Sequence, residues 1–242
     1  MSSFLFQSPE SPLSGVQIWS AHLEALPLVE LGELSALLDV AEHARAARFH
    51  FERDRRNYVA SRGLLRRLLG DALGKPASAL VFEYGLHGKP AISRTFFQGR
   101  TLCFNLSHSA GWAMFALAWN CEVGIDLESA IRLKRDVDGL AGLAARVLSA
   151  RELAIWQALP ETARDPAFLR AWTRKEAYAK ARGQGLLEQL IRTEVALDAA
   201  APQPSLTLRT TLEGEIARDW LLHDLSAPDG FAAAVAAEQK SP

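Results

Sequence analysis

The pattern of hydrophobic and polar residues predicts helices followed by short strands, and this order occurs twice along the chain. Apolar residues at helical spacing predict helices at 34–51, 53–73, 149–159 and 166–182. Alternating or continuous apolar runs between turn residues predict strands at 16–19, 80–84, 102–106, 112–119, 122–128, 205–210, 220–225 and 231–237. The repeated order predicts an α+β fold of two similar subdomains, residues 1–121 and 122–242, related by a pseudo-twofold.

Several of these helices carry start or stop signals. Gly74 and Gly183 follow the two long helices, where glycine commonly ends a helix. Ser149 and Glu152 have the spacing of a capping box, and Asp165-Pro166 reads as an N-cap followed by proline at the first helical position.

Composition narrows the class of protein. The chain has 242 residues, of which 49% are hydrophobic, and its 27 basic and 28 acidic residues give a net charge of −1. This balance argues against a generic binder of nucleic acid or of membrane surfaces. The beginning of the chain lacks the features of a secretory signal, and the longest apolar run, 111–119, is too short to span a bilayer. We therefore expect a cytoplasmic protein whose two cysteines are reduced.

Arginine is concentrated at the start of the second predicted helix. Eight arginines lie between residues 45 and 67, against only Glu52 and Asp54 as local acids. One interpretation is a solvated helix face. The other is a phosphate site, because a guanidinium group makes paired hydrogen bonds to phosphate. Because few acids are close in sequence, the phosphate site gains some weight over the solvated helix face.

Two carboxylates share one face of the strand at 122–128. Asp126 and Glu128 alternate with apolar residues, so their backbones lie about 6.6 Å apart on the polar face. The pattern fits either a solvated strand or a site for a hard divalent cation. Trp172, Glu176 and Lys180 follow at i, i+4 and i+8 of a helix. Glu176 is thus either the partner of Lys180 in a surface ion pair or a third carboxylate of the site that holds Asp126 and Glu128.

Taken together, these motifs resemble the 4′-phosphopantetheinyl transferases, in particular the long, monomeric type named for the surfactin enzyme. The resemblance covers residues 62 to 186, about half of the chain. The motifs are, in order, Arg62, Gly88-Lys-Pro90, Asn105-Leu-Ser-His-Ser109, Gly124-Ile-Asp-Leu-Glu128 and Trp172-Thr-Arg-Lys-Glu176 with Lys180.

The resemblance implies transfer of phosphopantetheine from coenzyme A to a serine of an apo acyl or peptidyl carrier protein, with adenosine 3′,5′-bisphosphate as the second product. It implies that Asp126, Glu128 and Glu176 hold Mg²⁺, with Mn²⁺ as an alternative. Glu176 would be the general base, directly or through a water. Lys175 and Lys180 would lie near the pyrophosphate, and Lys180 is assigned a catalytic role as well.

The resemblance also implies which residues would contact the adenosine end of coenzyme A and where the carrier protein would dock. Arg62 and His108 would meet the 3′-phosphate, which requires the strand that carries His108 to end near Leu106. The carrier would dock at the crevice between the subdomains, near 141–148 or Phe168. The residues expected at the adenine end are Lys89, Pro90 and Ser107.

Two alternatives stay open at this point. The same carboxylates and basic residues would suit a Mg²⁺-dependent hydrolase of nucleotide pyrophosphates. A non-catalytic module could instead use the arginine-rich face 45–67 to bind an acidic protein or nucleic acid. The roles of Arg45 and Arg48, which precede the second helix, are not assigned.

Overall fold

The described residues of the first half of the chain form six strands and three α-helices. The computed structural model describes residues 5–7, 11–93, 99–133, 139–183, 191, 193–197, 206–210 and 218–239. The strands of this half are β1 (Leu5–Gln7), β2 (Val16–His22), β3 (Phe82–Tyr84), β4 (Pro90–Ile92), β5 (Leu102–Ser109) and β6 (Trp112–Trp119). The helices are α1 (Leu28–Ser35), α2 (Val40–Ala46) and α3 (Glu52–Leu73), with 3₁₀ turns at Leu23–Ala25 and Ala77–Ala79.

The second half repeats this plan. Its strands are β7 (Val123–Ser129), β8 (Leu206–Thr210), β9 (Arg218–Leu225) and β10 (Phe231–Gln239). Its helices are α4 (Ala130–Leu133), α5 (Gly139–Val147), α6 (Ala150–Ala158) and α7 (Glu161–Arg182). The long helices α3 and α7 have 22 residues each. None of the helices in the described ranges is long and apolar enough to cross a membrane.

The two halves share the order of three strands, β2-β6-β5 and β7-β10-β9, and each sheet adds a fourth strand at a different edge. The first sheet runs β1-β2-β6-β5 and the second β7-β10-β9-β8, with antiparallel neighbours throughout. In each half a strand leads through a long helix to a hairpin, and the last strand of that hairpin pairs with the first strand: β2 with β6, and β7 with β10. The predicted α+β fold of two similar subdomains is therefore confirmed.

The elements stack in four layers. Leu64 and Leu65 of α3 pack against Phe104 and Phe115 on the outer face of the first sheet. On the other side, α7 covers the outer face of the second sheet. The inner faces of the two sheets pack against each other through Ile18, Met114, Ala116, Ile125, Leu127 and Val235. This packing brings the edge strands β5 and β7 side by side, and the candidate site lies there.

Two predicted helix boundaries are wrong. The helix expected at 34–51 is broken into α1 and α2, because Asp39 caps a new helix by accepting the N–H of Glu42 at 2.8 Å. The helix α7 begins at Glu161, so Asp165 is not its N-cap and Pro166 lies inside it, near its beginning. By contrast, the capping box of Ser149 and Glu152 is confirmed.

Gly124 allows α7 to lie directly on β7. A Cβ atom at this position would sit 2.1 Å from the carbonyl oxygen of Ala177 and 2.3 Å from the backbone nitrogen of Ala181. Because both neighbours are backbone atoms, a Gly124→Ala variant must push the helix off the strand. We expect it to lower the free energy of unfolding by about 1–3 kcal/mol, measured by urea denaturation.

Gly32→Ala is the matched control for that substitution. Gly32 lies in α1, and an added Cβ there would meet no atom within 4 Å. We expect this variant to gain about 0.5–1 kcal/mol, because alanine is the better helix former. Equal free energies of unfolding for the two variants would contradict the close approach of α7 and β7.

Candidate active site

Side chains from alternate positions of β5 join the two sheets. The Asn105 side-chain oxygen accepts the backbone N–H of Ile125 at 2.9 Å, and Ser109 Oγ accepts that of Ser129 at 3.1 Å. β5 and β7 lie edge to edge but do not pair through backbone hydrogen bonds. The two side-chain bonds therefore satisfy backbone N–H groups on the edge of β7. The edge of one subdomain is therefore held against the edge of the other by polar side chains.

Between these two bonds lies a cluster of Ser107, Asp126 and Lys180, in which the serine and the aspartate are buried and the lysine is partly exposed. The Lys180 ammonium donates to Asp126 Oδ1 at 2.6 Å and to Ser107 Oγ at 3.0 Å, and Ser107 Oγ donates to Asp126 Oδ1 at 2.9 Å. Asp126 is 1% exposed. Its second oxygen, Oδ2, is buried and has no hydrogen-bond partner among the described residues. A buried carboxylate oxygen is costly to leave unsatisfied, so this atom is a candidate ligand position.

Two more carboxylates flank the cluster. Glu128 follows on the same face of β7, and its Oε2 accepts a hydrogen bond from Ser109 Oγ at 3.0 Å. Glu176 lies one turn before Lys180 on α7, on the same stripe of the helix, and is 5% exposed. The three acids thus come from β7 and α7, which pack together, and a site that uses all three stays a prediction.

The three acids are suitable ligands for a hard divalent cation, because Mg²⁺ and Mn²⁺ prefer carboxylate oxygens. The unsatisfied Oδ2 atom of Asp126 is one such oxygen. Within the described part of the chain, however, no three His, Cys, Asp or Glu side chains are close enough together to form a ready-made metal site. The Lys180 ammonium holds the other Asp126 oxygen in this arrangement.

The predicted phosphate contact of Lys175 is wrong. Its ammonium group is fully buried and donates to Glu152 Oε2 at 2.5 Å and to the carbonyl oxygen of Val147 at 3.0 Å. Burial lowers the pKa of Lys175, and the hydrogen bond and charge of Glu152 oppose that shift. Since five residues advance a helix by about 140° beyond a full turn, Lys175 and Lys180 lie on different sides of α7.

The arginine-rich stretch is partly neutralised by acids from α2. Glu42 accepts hydrogen bonds from the Nε atoms of both Arg62 and Arg66, and Asp39 accepts a further one from Arg66 at 2.7 Å. Arg62 also donates to the Tyr84 hydroxyl at 3.0 Å, and its guanidinium lies over the Phe82 ring. The scarcity of acids within 45–67, which favoured a phosphate site, is thus offset by Asp39 and Glu42 just before it. The contact of Arg62 with a 3′-phosphate stays a prediction.

His108 lies on the other face of β5 from Ser107. The strand continues to Ser109 instead of ending near Leu106, so the condition stated for a phosphate contact of His108 on the face of Ser107 is not met. His108 is exposed and shares the α3 side of the sheet with Leu106 and Phe104. Its phosphate contact stays a prediction, on the side of the sheet where Arg62 lies.

Lys89 and Pro90 line a cavity of about 590 Å³ between β4, β5 and the end of α7. The Cys103 thiol lines the same cavity, and burial, with the nearby Glu122 carboxylate, raises its pKa to about 11. This thiol therefore stays protonated at neutral pH, which argues against a nucleophilic role. Cys103 and Cys121 are both free, as predicted.

Part of the expected carrier-docking region is inside the protein. Phe168 is 0% exposed, and Val147 and Leu148 belong to the same buried cluster beneath α7, so docking through these three side chains is excluded. Ala141, Ala145 and Arg146 are exposed, and docking near 141–148 stays a prediction.

Sequence reasoning missed the residues that hold the site together. Asn105 and Ser109 belong to the motif that identified Ser107, and their period of two along β5 was the available signal. Glu42 and Glu152, in contrast, act on arginine and lysine side chains 20 to 24 residues away, and only the folded chain brings them there.

Comparison with known proteins assigns the family. Residues 28–120 match the N-terminal region of 4′-phosphopantetheinyl transferases, and residues 122–236 match the 4′-phosphopantetheinyl transferase superfamily. The chain belongs to this superfamily. The transferase HetI of Nostoc sp. is 37% identical over 221 residues, which cover 91% of this chain and 86% of HetI.

Two other relatives are similar over shorter regions. The transferase AcpT of Salmonella typhi is 38% identical over 146 residues, 60% of this chain and 68% of AcpT. The transferase psf-1 of Bacillus pumilus is 29% identical over 157 residues, 65% of this chain and 63% of psf-1. The protein is therefore an enzyme, a phosphopantetheinyl transferase of the long type.

Proposed function

We propose that this phosphopantetheinyl transferase moves the 4′-phosphopantetheine group of coenzyme A to a serine of an apo acyl or peptidyl carrier protein. The serine oxygen forms a bond to the phosphorus next to pantetheine, the pyrophosphate P–O bond breaks, and adenosine 3′,5′-bisphosphate leaves. The observation that carries this proposal is the cluster of Ser107, Asp126 and Lys180 beside Glu128 and Glu176, at the junction of the two subdomains.

Asp126, Glu128 and Glu176 are the residues that would hold a divalent cation, Mg²⁺ or Mn²⁺. The unsatisfied, buried Oδ2 atom of Asp126 supports this assignment. When bound, such a cation would neutralise charge on the pyrophosphate. The three carboxylates and the pyrophosphate of coenzyme A are all negatively charged, so they would come together at this junction only with such a cation between them.

Lys180 is the residue proposed to contact the pyrophosphate. Its side chain is 26% exposed, whereas that of its partner Asp126 is 2% exposed, so the ammonium group stands on the solvent side of the pair. An ammonium group carries three donors on a flexible stem and can turn from a carboxylate to a phosphate oxygen without moving the helix. It would stabilise charge that develops on the leaving bisphosphate.

Glu176 is the proposed general base. It lies on the stripe of α7 that carries Lys180, and its burial keeps the carboxylate away from bulk water. A carboxylate placed there could take the serine proton directly or through one water molecule.

Release of adenosine 3′,5′-bisphosphate from coenzyme A, with and without an apo carrier protein, tests this function against the alternative of a pyrophosphate hydrolase. We expect release only when the carrier is present, because the attacking oxygen belongs to the carrier serine. Release at the same rate without the carrier would favour the hydrolase. A carrier whose serine is replaced by alanine is the control.

A further inference from the structure

Lys89 connects three parts of the molecule that are distant in sequence. Its ammonium group donates to Glu122 Oε2 at 2.7 Å, to the carbonyl oxygen of Val123 at 3.3 Å and to the carbonyl oxygen of Ala181 at 2.7 Å. An ammonium group has three donors, and these three acceptors use all of them. Lys89 directly precedes β4 of the first subdomain, while all three acceptors belong to the second.

Two of the acceptors adjoin the residues of the candidate site. Val123 begins β7, which carries Asp126 three residues later. Ala181 follows Lys180 and lies in the last turn of α7, where carbonyl oxygens lack partners within the helix and a cation is favourable. One ammonium group therefore holds the start of the strand and the end of the helix whose side chains form the Asp126–Lys180 pair.

The surroundings of Lys89 favour a fixed position. Its side chain is 19% exposed, and its stem passes close over Gly183, where an added Cβ would lie 3.2 Å from Lys89 Cδ. Gly183 has a φ of +64° and ends α7, so the lysine stem packs on the residue that terminates the helix. With all three donors engaged, the ammonium group is turned toward the second subdomain.

We propose that Lys89 is a positioning residue for the transfer reaction, which clamps β7 and the end of α7 so that Lys180 stays aligned with Asp126. The role rests on the proposed function, since it concerns the geometry of that site. This role differs from the adenine contact expected from the sequence, because the ammonium group donates hydrogen bonds to carbonyl oxygens of the protein. A positioning residue changes the rate of the bound complex more than substrate affinity.

The test compares Lys89→Met with Lys75→Met, the same change at an exposed lysine of the first subdomain. With coenzyme A and an apo carrier, we expect Lys89→Met to lower kcat by about tenfold or more, while KM for coenzyme A changes less than about threefold. Lys75→Met should match the unchanged protein. Lys89→Arg should keep more of kcat than Lys89→Met, because it retains the charge at the end of α7.

Hydrogen exchange provides a readout that does not depend on catalysis. In Lys89→Met, amides in the last turn of α7 should exchange faster than in the unchanged protein, because the end of the helix has lost its clamp. A rise in KM with unchanged kcat, or unchanged exchange at the end of α7, would overturn the proposal. If the unchanged protein transfers nothing to the carrier, the proposed function fails, and the exchange measurement still decides whether Lys89 is a clamp.

Discussion

Glu176→Gln is expected to reduce the rate of phosphopantetheine transfer by more than about 10²-fold, by analogy with the loss of an acid–base or charge-stabilising group in other enzymes. The glutamine side chain has the same shape, so it fills the same buried position on α7. It has lost both the negative charge that a cation needs and the basicity that the serine proton needs. The measurement is the initial rate of carrier modification at saturating coenzyme A.

Glu161→Gln is the matched control for this prediction. Glu161 begins the same helix and is exposed, so the same chemical change occurs away from the site. The control should transfer at the rate of the unchanged protein, and both variants should show a single cooperative unfolding transition. A Glu176→Gln variant that keeps its rate within about threefold of the unchanged protein would remove Glu176 from the chemistry.

Glu42→Gln is expected to cost about 3–5 kcal/mol of the free energy of unfolding, the range found when one partner of a buried ion pair is removed. Glu42 is 3% exposed and accepts hydrogen bonds from Arg62 and Arg66, which are themselves buried. The amide leaves two buried guanidinium groups without the carboxylate charge between them. Denaturation in urea at neutral pH, followed by circular dichroism, measures the change.

Glu52→Gln is the matched control, because it removes an arginine–glutamate pair that is exposed instead of buried. Glu52 pairs with Arg55 at 2.6 Å, but both side chains are more than half exposed. Solvent screens such a pair, so the control should change the free energy of unfolding by less than about 1 kcal/mol. Similar losses in the two variants would contradict a buried ion cluster as the anchor of α2 on α3.

The sequence predicted the fold and part of the site because those features depend on local patterns. Alternation along β7 put Asp126 and Glu128 on one face, and helical spacing put Glu176 and Lys180 on one stripe of α7. Both expectations are confirmed, since each depends on the period of a single element. The break between α1 and α2 was missed even though Asp39 and Glu42 have the spacing of a capping box.

The failures concern contacts between elements. Lys175 stands next to Glu176 in sequence, but its ammonium group meets Glu152, which is 23 residues away. Arg62 contacts Glu42, 20 residues earlier, which the sequence did not predict, while its contact with a 3′-phosphate stays a prediction. Judged by residue type and local spacing alone, both side chains are as well suited to bind phosphate as Lys180. Only the packing of α6 on α7, and of α2 on α3, decides which cations turn inward.

Intact mass spectrometry of an apo carrier protein, after incubation with coenzyme A, Mg²⁺ and the enzyme, is the decisive measurement of phosphopantetheine transfer. We expect the carrier to gain the mass of one phosphopantetheine arm on its serine. Adenosine 3′,5′-bisphosphate should appear in equal amount, and Glu176→Gln should slow both. An unchanged carrier mass while coenzyme A is consumed would show that the protein does not transfer the group to the carrier.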